Sequence, residues 1–445
     1  MQPFSAFGRA SSLKGEISLL GDKSIAHRAL IIASLAQGKT SIENFPASKD
    51  CLYTKSALKK LGVRIIQNKG IQKGSYRLLV FGRGLSGLSS PKGDIFTGNS
   101  GTTFRLLLGV LAGQNFKVRL MAGSSLAKRP MFRVTEPLRQ MGARINAKRK
   151  TQNLKPEEYP PITIKGGNLK PITYRMPLAS AQVKSAILLA GLYVDAGTKI
   201  IEPIKTRDHT ERMLKLFKAQ LKIRGKEITI KGPSQLHSPG RIYIPGDISS
   251  AGFFIVLAAL LPNSRLAVKG VSLNPSRLGI IRVLKRMGAD IRIKYSGNNF
   301  EPAGDILIKG SELKGAVVKK EEIPSLIDEL PILMVAASLA RGKTIFKAVG
   351  ELRVKETDRI RSMSANLRKM GADIKIVRDG SSEDIVILGV KKLKGAKVKS
   401  FGDHRTAMGM IVARLLASGR TEIEDIACID KSFPKFIRLL ESVIR

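Results

Sequence analysis

The sequence predicts an α/β protein of two similar domains, each built from three β-α-β-α-β-β units. Three observations lead there. One phrase recurs six times along the 445 residues: a polar loop, an apolar run of about ten residues, a Gly or polar break, then a short β-branched run. A second phrase, apolar residues at helical spacing closed by glycine, interleaves with it. A Pro/Gly/Ser-rich stretch, 233–245, precedes the fourth copy and reads as the domain junction.

The first copy is GDKSIAHRALIIASLAQGKTSIENF from Gly21, followed by GNSGTTFRLLLGVLAGQNFKVRLM from Gly98 and LASAQVKSAILLAGLYVDAGTKIIEP from Leu178. The fourth is GDISSAGFFIVLAALLPNSRLAVKGV from Gly246. IPSLIDELPILMVAASLARGKTIFKAV from Ile323 and GDHRTAMGMIVARLLASGRTEIEDI from Gly402 complete the set. In each, the apolar run predicts a buried helix and the β-branched run a strand. The second phrase reads LKKLGVRI at Leu58, LRQMGARI at Leu138, LKRMGADI at Leu284 and LRKMGADI at Leu367, with a degraded copy, MLKLFKAQLKI, at Met213. Each predicts an amphipathic helix, a glycine stop and a strand. Such units cannot bury their apolar helices alone and must pack on one another.

Composition narrows the class. Hydrophobic residues at 43% and charged residues at 25% exclude a disordered or collagenous chain. Two cysteines, Cys51 and Cys428, and four histidines exclude a disulfide framework and a Cys-rich zinc module. The longest apolar stretches, 253–261 and 330–340, are about half of the ~18 residues that a membrane span needs. No apolar core of signal-peptide length opens the chain. The expectation is a cytoplasmic protein.

The net charge of +42, from 77 Lys and Arg against 35 Asp and Glu, raises nucleic acid as a partner. Against that, the basic residues are spread along the chain. Aromatics are only 5% with no Trp, and no zinc finger or RNP1 pattern appears. The densest basic clusters, 148–150 and 391–399, read as solvated loops or strand edges. No dedicated nucleic-acid partner is expected, whereas anionic small substrates suit the charge.

Six polar loops preceding six apolar helices give six helix N-termini, each with free N–H groups and partial positive charge. Taken singly, their Ser, Asn, Asp and Thr residues are ordinary caps. Capping does not account for the Lys, Arg and Gln beside them: Lys23, Ser24 and Arg28; Asn99, Gly101 and Thr102; Ser180 and Gln182; Asp403, His404 and Arg405. Converging on a cleft between domains, such loops would trap anions.

These loops carry a family resemblance. GDKSIAHRA, GNSGTTFR, KRPMFRVTEPLRQMGA, SAQVKSAILLAGL, RDHTERM, PGDISSA, LIDELP, ELRVKETDRI and GDHRTAM resemble, in order and over nearly the whole chain, the motifs of the 5-enolpyruvylshikimate-3-phosphate synthases. The resemblance implies the enolpyruvyl transferase fold, an inside-out α/β barrel-like pair of three-repeat domains. One domain would be 21–244 and the other 1–20 plus 245–445, with the active site in the cleft between them. It implies transfer of the enolpyruvyl group of phosphoenolpyruvate to the 5-hydroxyl of shikimate 3-phosphate by addition and elimination, in a monomer without metal or organic cofactor.

It also implies roles. Lys23 resembles a lysine shared by both substrates. Ser24, Arg28, Ser180, Ala181, Gln182 and Lys355 resemble ligands of shikimate 3-phosphate. Asn99, Gly101, Arg129, Gln182, Arg359, Arg405 and Lys431 resemble the phosphoenolpyruvate set. Asp328 matches the carboxylate that takes the proton of the attacking hydroxyl and also touches shikimate 3-phosphate. Glu356 matches a proton-transfer group near C3, and His404 supports that network. Arg105 and Arg207 read as structural, and Asp247 as lining the cleft without a catalytic part. The rivals fit less well. The UDP-sugar enolpyruvyl transferases carry Lys-Asn in the first loop and a mobile-loop cysteine, neither present here. RNA 3′-phosphate cyclase motifs are absent. A non-catalytic nucleic-acid binder would have no reason to keep Lys23, Asp328, Glu356 and Arg359 together.

Overall fold

The structure is a computed structural model that describes residues 10–445 apart from 153–154, 298–299 and 381. Six apolar runs form helices buried almost all round: Lys23–Leu35, Gly101–Ala112, Ala181–Gly191, Ile248–Leu260, Leu330–Leu339 and His404–Leu416. A helix apolar on every side belongs inside a protein, which is where these lie. Five start at a side-chain cap: Asp22, Ser100, Ser180, Asp247 and Asp403 each accept from backbone N–H groups of the first turn.

The second phrase forms Lys49–Lys60, Phe132–Gln140, Gly279–Arg286 and Arg359–Lys369. Each is followed by a glycine at positive φ: Gly62, Gly142, Gly288 and Gly371. The degraded copy forms His209–Leu216, and there Lys218 takes the left-handed position with φ 67°. A side chain in that conformation is strained where glycine is not.

The strands repeat one pattern. Arg241–Tyr243 runs parallel to Lys39–Pro46, which pairs antiparallel with Ser75–Phe81, itself antiparallel to Arg64–Lys69. Four other sheets have the same order, and Lys397–Lys399 with Glu422–Glu424 forms the parallel pair alone. Among the described residues this makes five four-stranded sheets and one two-stranded sheet.

The chain divides into two compact units: Met1–Leu19 with Pro245–Arg445, and Leu20–Ile244. Each unit takes the opening strand of its first sheet from a distant part of the sequence. Lys14–Ser18 pairs with Arg265–Ser272, and Arg241–Tyr243 pairs with Lys39–Pro46. In the first unit, Phe253, Phe254, Phe433 and Phe436 pack with ring centroids 5.5–6.2 Å apart, fastening the C-terminal segment to the core. Among the described residues, no helix is long and apolar enough to cross a membrane.

Candidate active site

In the Leu20–Ile244 unit the expected residues gather at the starts of the buried helices. Lys23 opens its helix with Nζ 3.6 Å from an Asp50 carboxylate oxygen. Arg28, one turn on, is only 3% exposed. Its Nε donates to Thr210 Oγ1 at 2.6 Å, its Nη1 to the Ser24 carbonyl at 2.9 Å and its Nη2 to Ser185 Oγ at 2.9 Å. Ser180 caps the helix that Ala181 begins. Gln182 accepts from Arg105 Nη1 at 2.7 Å and donates to Thr102 Oγ1 at 2.9 Å.

Arg105 also donates to the Pro130 carbonyl, beside Arg129. Both guanidinium groups crowd Gly101: a Cβ there would lie 2.8 Å from Arg105 Nη1 and 3.1 Å from Arg129 Nη1. Glycine leaves both guanidinium groups this close, and a Cβ would make them shift. Asn99 faces a different task, its Oδ1 accepting from the Ser125 and Leu126 N–H groups at 3.1 and 3.2 Å. Behind the Gln182 loop, the buried Lys184 pairs with Glu202 at 3.1 Å and Glu211 at 2.6 Å. Burial opposes its charge, but the two carboxylates outweigh that and raise its pKa. Arg207 lies just ahead of the His209–Leu216 helix.

In the other unit the organising group is Arg359, 1% exposed. Its Nε donates to Asp403 at 3.0 Å, its Nη1 to Asp328 at 3.2 Å and its Nη2 to Glu356 at 2.6 Å. Burial alone would lower its pKa. Asp403, Glu356 and Asp328 overcome that penalty and raise its pKa further. Asp403 meanwhile accepts from the Arg405 and Thr406 N–H groups at the start of the His404–Leu416 helix. Arg405 returns along the same path, its Nη1 donating to the Asp328 carbonyl at 2.9 Å.

Two carboxylates, Asp328 and Glu356, thus share one fixed cation. That arrangement suits transfer of protons to and from different atoms of a bound substrate. His404 opens its helix and is buried. Lys355 reaches Glu351 at 3.3 Å. Arg353 braces the loop through Glu383 and Asp358. Asp247 caps the Ile248–Leu260 helix and lies 3.7 Å from the buried Arg277. Lys431 ends a short 3-10 helix, Ala427–Lys431, and its side chain lies outside the described residues.

The family model described as EPSP synthase (3-phosphoshikimate 1-carboxyvinyltransferase) matches residues 8–440. The chain belongs to the EPSP synthase family. A 3-phosphoshikimate 1-carboxyvinyltransferase of Desulforamulus reducens is 48% identical over 433 residues, 97% of each chain. One from Pelotomaculum thermopropionicum is 47% identical over 438 residues, 98% of each. A solved EPSP synthase from Acinetobacter baumannii superimposes with TM-score 0.83 at 40% identity, covering 98% of this chain and 97% of that one. The enolpyruvyl transferase NikO from Streptomyces tendae, at 15% identity and TM-score 0.72, shares the fold over 98% of this chain and 96% of its own.

In this member of the EPSP synthase family, several supporting residues escaped the sequence reading. Asp50 holds Lys23 from 27 positions away, and Ser185 and Thr210 hold Arg28 from 157 and 182 positions away. Ser185 and Thr210 fall inside motifs that drew attention, SAQVKSAILLAGL and RDHTERM, but nothing in those motifs marks them as partners of Arg28, and Asp50 falls in none. Arg105, read as structural, is the link between Gln182 and the Arg129 loop.

Proposed function

We propose that the two half-sites serve one reaction, with the six-repeat, two-domain architecture bringing their loops to a common cleft. The reaction is the family's: the enolpyruvyl group of phosphoenolpyruvate passes to the 5-hydroxyl of shikimate 3-phosphate, and phosphate leaves. It belongs to the shikimate pathway, which leads to chorismate and the aromatic amino acids. The observation that carries the residue roles is the Asp328–Arg359–Glu356 group, in which one buried guanidinium holds two carboxylates 3.2 and 2.6 Å away.

In this reading Asp328 takes the proton of the 5-hydroxyl as its oxygen bonds to C2. C3 gains a proton through Glu356, with His404 supporting that transfer. The tetrahedral intermediate then breaks its C2–O bond to phosphate, and C3 gives up a proton to restore the double bond. Lys23, Gly101, Arg129, Gln182, Arg359, Arg405 and Lys431 hold phosphoenolpyruvate. Arg359 and Arg405 clamp its carboxylate, since guanidinium forks match carboxylate geometry. Lys23, Ser24, Arg28, Ser180, Ala181, Gln182, Asp328 and Lys355 hold shikimate 3-phosphate. Asn99 contributes by fixing the 123–126 loop. A cytoplasmic monomer needing no metal or organic cofactor completes the reading.

The test is phosphate release by the purified protein given both substrates, with each omitted in turn. Release that requires both supports the reaction. Release from phosphoenolpyruvate alone, or none from folded protein, overturns it.

A further inference from the structure

A buried hydrogen-bond chain lies beneath the Lys23 and Gly101 loops. His27, Thr54, Thr103 and Ser100 are each at most 2% exposed. They come from three helices, Lys23–Leu35, Lys49–Lys60 and Gly101–Ala112, with Ser100 as the cap of the last. His27 Nδ1 is 2.6 Å from Thr54 Oγ1, and Thr54 Oγ1 is 2.7 Å from Thr103 Oγ1. Thr103 Oγ1 in turn donates to Ser100 Oγ at 2.7 Å.

Counting protons gives the chain a direction. The single hydroxyl proton of Thr103 is taken by Ser100 Oγ at 2.7 Å or by the more distant Asp50 carbonyl at 3.4 Å, so in either case Thr54 must donate to Thr103. His27 must then donate to Thr54 through Nδ1–H. Burial, followed by the charges of Lys23 and Arg28, pushes the His27 pKa down to about 3, so the ring is neutral and Nε2 is left as an acceptor. Cys51 Sγ stands 3.7 Å from Nε2, and burial pushes that thiol up to about 12. It therefore keeps its proton and donates it to the ring.

We propose that His27, Thr54 and Thr103 are positioning residues that lock the Lys23 loop to the Gly101 loop and thereby set the affinity for phosphoenolpyruvate. The inference rests on reading Lys23, Gly101 and Arg129 as contacts of that substrate. One end of the chain stands on the helix that Lys23 opens. The other end is Ser100, the residue before Gly101, which lies beside the Arg105 and Arg129 guanidinium groups. A shift of the Ser100 cap moves Gly101 against those guanidinium groups. Ordinary satisfaction of buried polar atoms predicts a change in stability when the chain is cut, and no change in substrate preference.

The test uses the full chain carrying Thr54→Val, which keeps the shape and removes both bonds of the Thr54 hydroxyl. Loss of a buried hydrogen bond predicts a rise in KM for phosphoenolpyruvate of about fivefold, with kcat and KM for shikimate 3-phosphate within about twofold, and Thr54→Ser restores the value. Nitrogen NMR of labelled histidine and glycine gives a readout apart from activity. The His27 ring is expected to carry its proton on Nδ1 in the unaltered protein, and the Gly101 amide resonance to move in Thr54→Val. Should that variant not fold, Thr103→Val cuts the same chain, and the ring tautomer is read without any variant. A ring protonated on Nε2, or a Gly101 amide that does not move, overturns the inference. A Gly101 amide that moves with KM unchanged leaves the mechanical link standing and overturns instead the assignment of this loop to phosphoenolpyruvate.

Discussion

Asp328 sits 3.2 Å from Arg359 and shares that cation with Glu356 and Asp403, so its carboxylate is oriented before any substrate arrives. Asp328→Asn keeps an oxygen for Arg359 and removes the base. Turnover is expected to fall by about 10²–10⁴, with KM for either substrate changing far less, as read by phosphate release. An enzyme with full turnover would remove Asp328 from the role of base. Gly101 allows an equally sharp expectation. Its Cβ would come within 2.8 Å of Arg105 Nη1 and 3.1 Å of Arg129 Nη1. Gly101→Ala should therefore displace both guanidinium groups and raise KM for phosphoenolpyruvate more than KM for shikimate 3-phosphate in steady-state kinetics.

At the level of the element, the glycine that closes four of the amphipathic helices is replaced in the fifth by Lys218, at φ 67°. A β-carbon in the left-handed region costs about 1 kcal/mol. Lys218→Gly is expected to recover much of that, raising the melting temperature by about 2–4 °C for a unit of this size. Calorimetry would show it. Legibility at this scale was good where chemistry is local. Apolar runs, glycine stops and Asp or Ser caps are readable because each depends on residues within a turn or two. The limit shows at Asn99. Its motif marked it as a loop ligand, yet its side chain holds Ser125 and Leu126, 26 and 27 positions away. Likewise, nothing in the local pattern ties Thr210 to Arg28. Those pairings follow from how helices stack, and helix stacking leaves no periodic mark in a sequence.

Across the whole molecule, charge and proton binding decide the response to conditions. With a net charge of +42, the protein's field draws in both polyanionic substrates, and salt screens it. The expected result is a fall in kcat/KM for each substrate as ionic strength rises, steeper than any fall in kcat. Acid should destabilise the fold through His27. Its pKa is about 3 when folded against 6.5 in the free side chain, so between those values the unfolded chain binds more protons. Stability present in full above pH 6.5 is lost toward pH 3, by at most about 1.4 kcal/mol per pH unit. Glu383, held low by its bonds to Arg353, adds its own loss only below about pH 4.5. Melting curves between pH 7 and pH 5 should therefore slope less in His27→Gln than in the unaltered protein. The charge itself was plain from composition, but the buried imidazole was not. His27 reads as one more polar residue in GDKSIAHRA until Thr54 and Cys51 are packed against it.

Among the described residues, the strand Lys14–Ser18 has its partner in Arg265–Ser272. On the ribosome, this strand must wait while some 245 further residues are made, which at ordinary elongation rates takes about 12–50 s. During that interval the whole of Leu20–Ile244 is synthesised, including Arg241–Tyr243, the strand that closes its own first sheet. Vectorial synthesis thus delivers a finished inner unit first, and a nascent N-terminal strand whose backbone hydrogen bonds are unmet. That exposed edge is where a ribosome-associated chaperone would be needed, and where a slowed ribosome would leave the chain most open to aggregation.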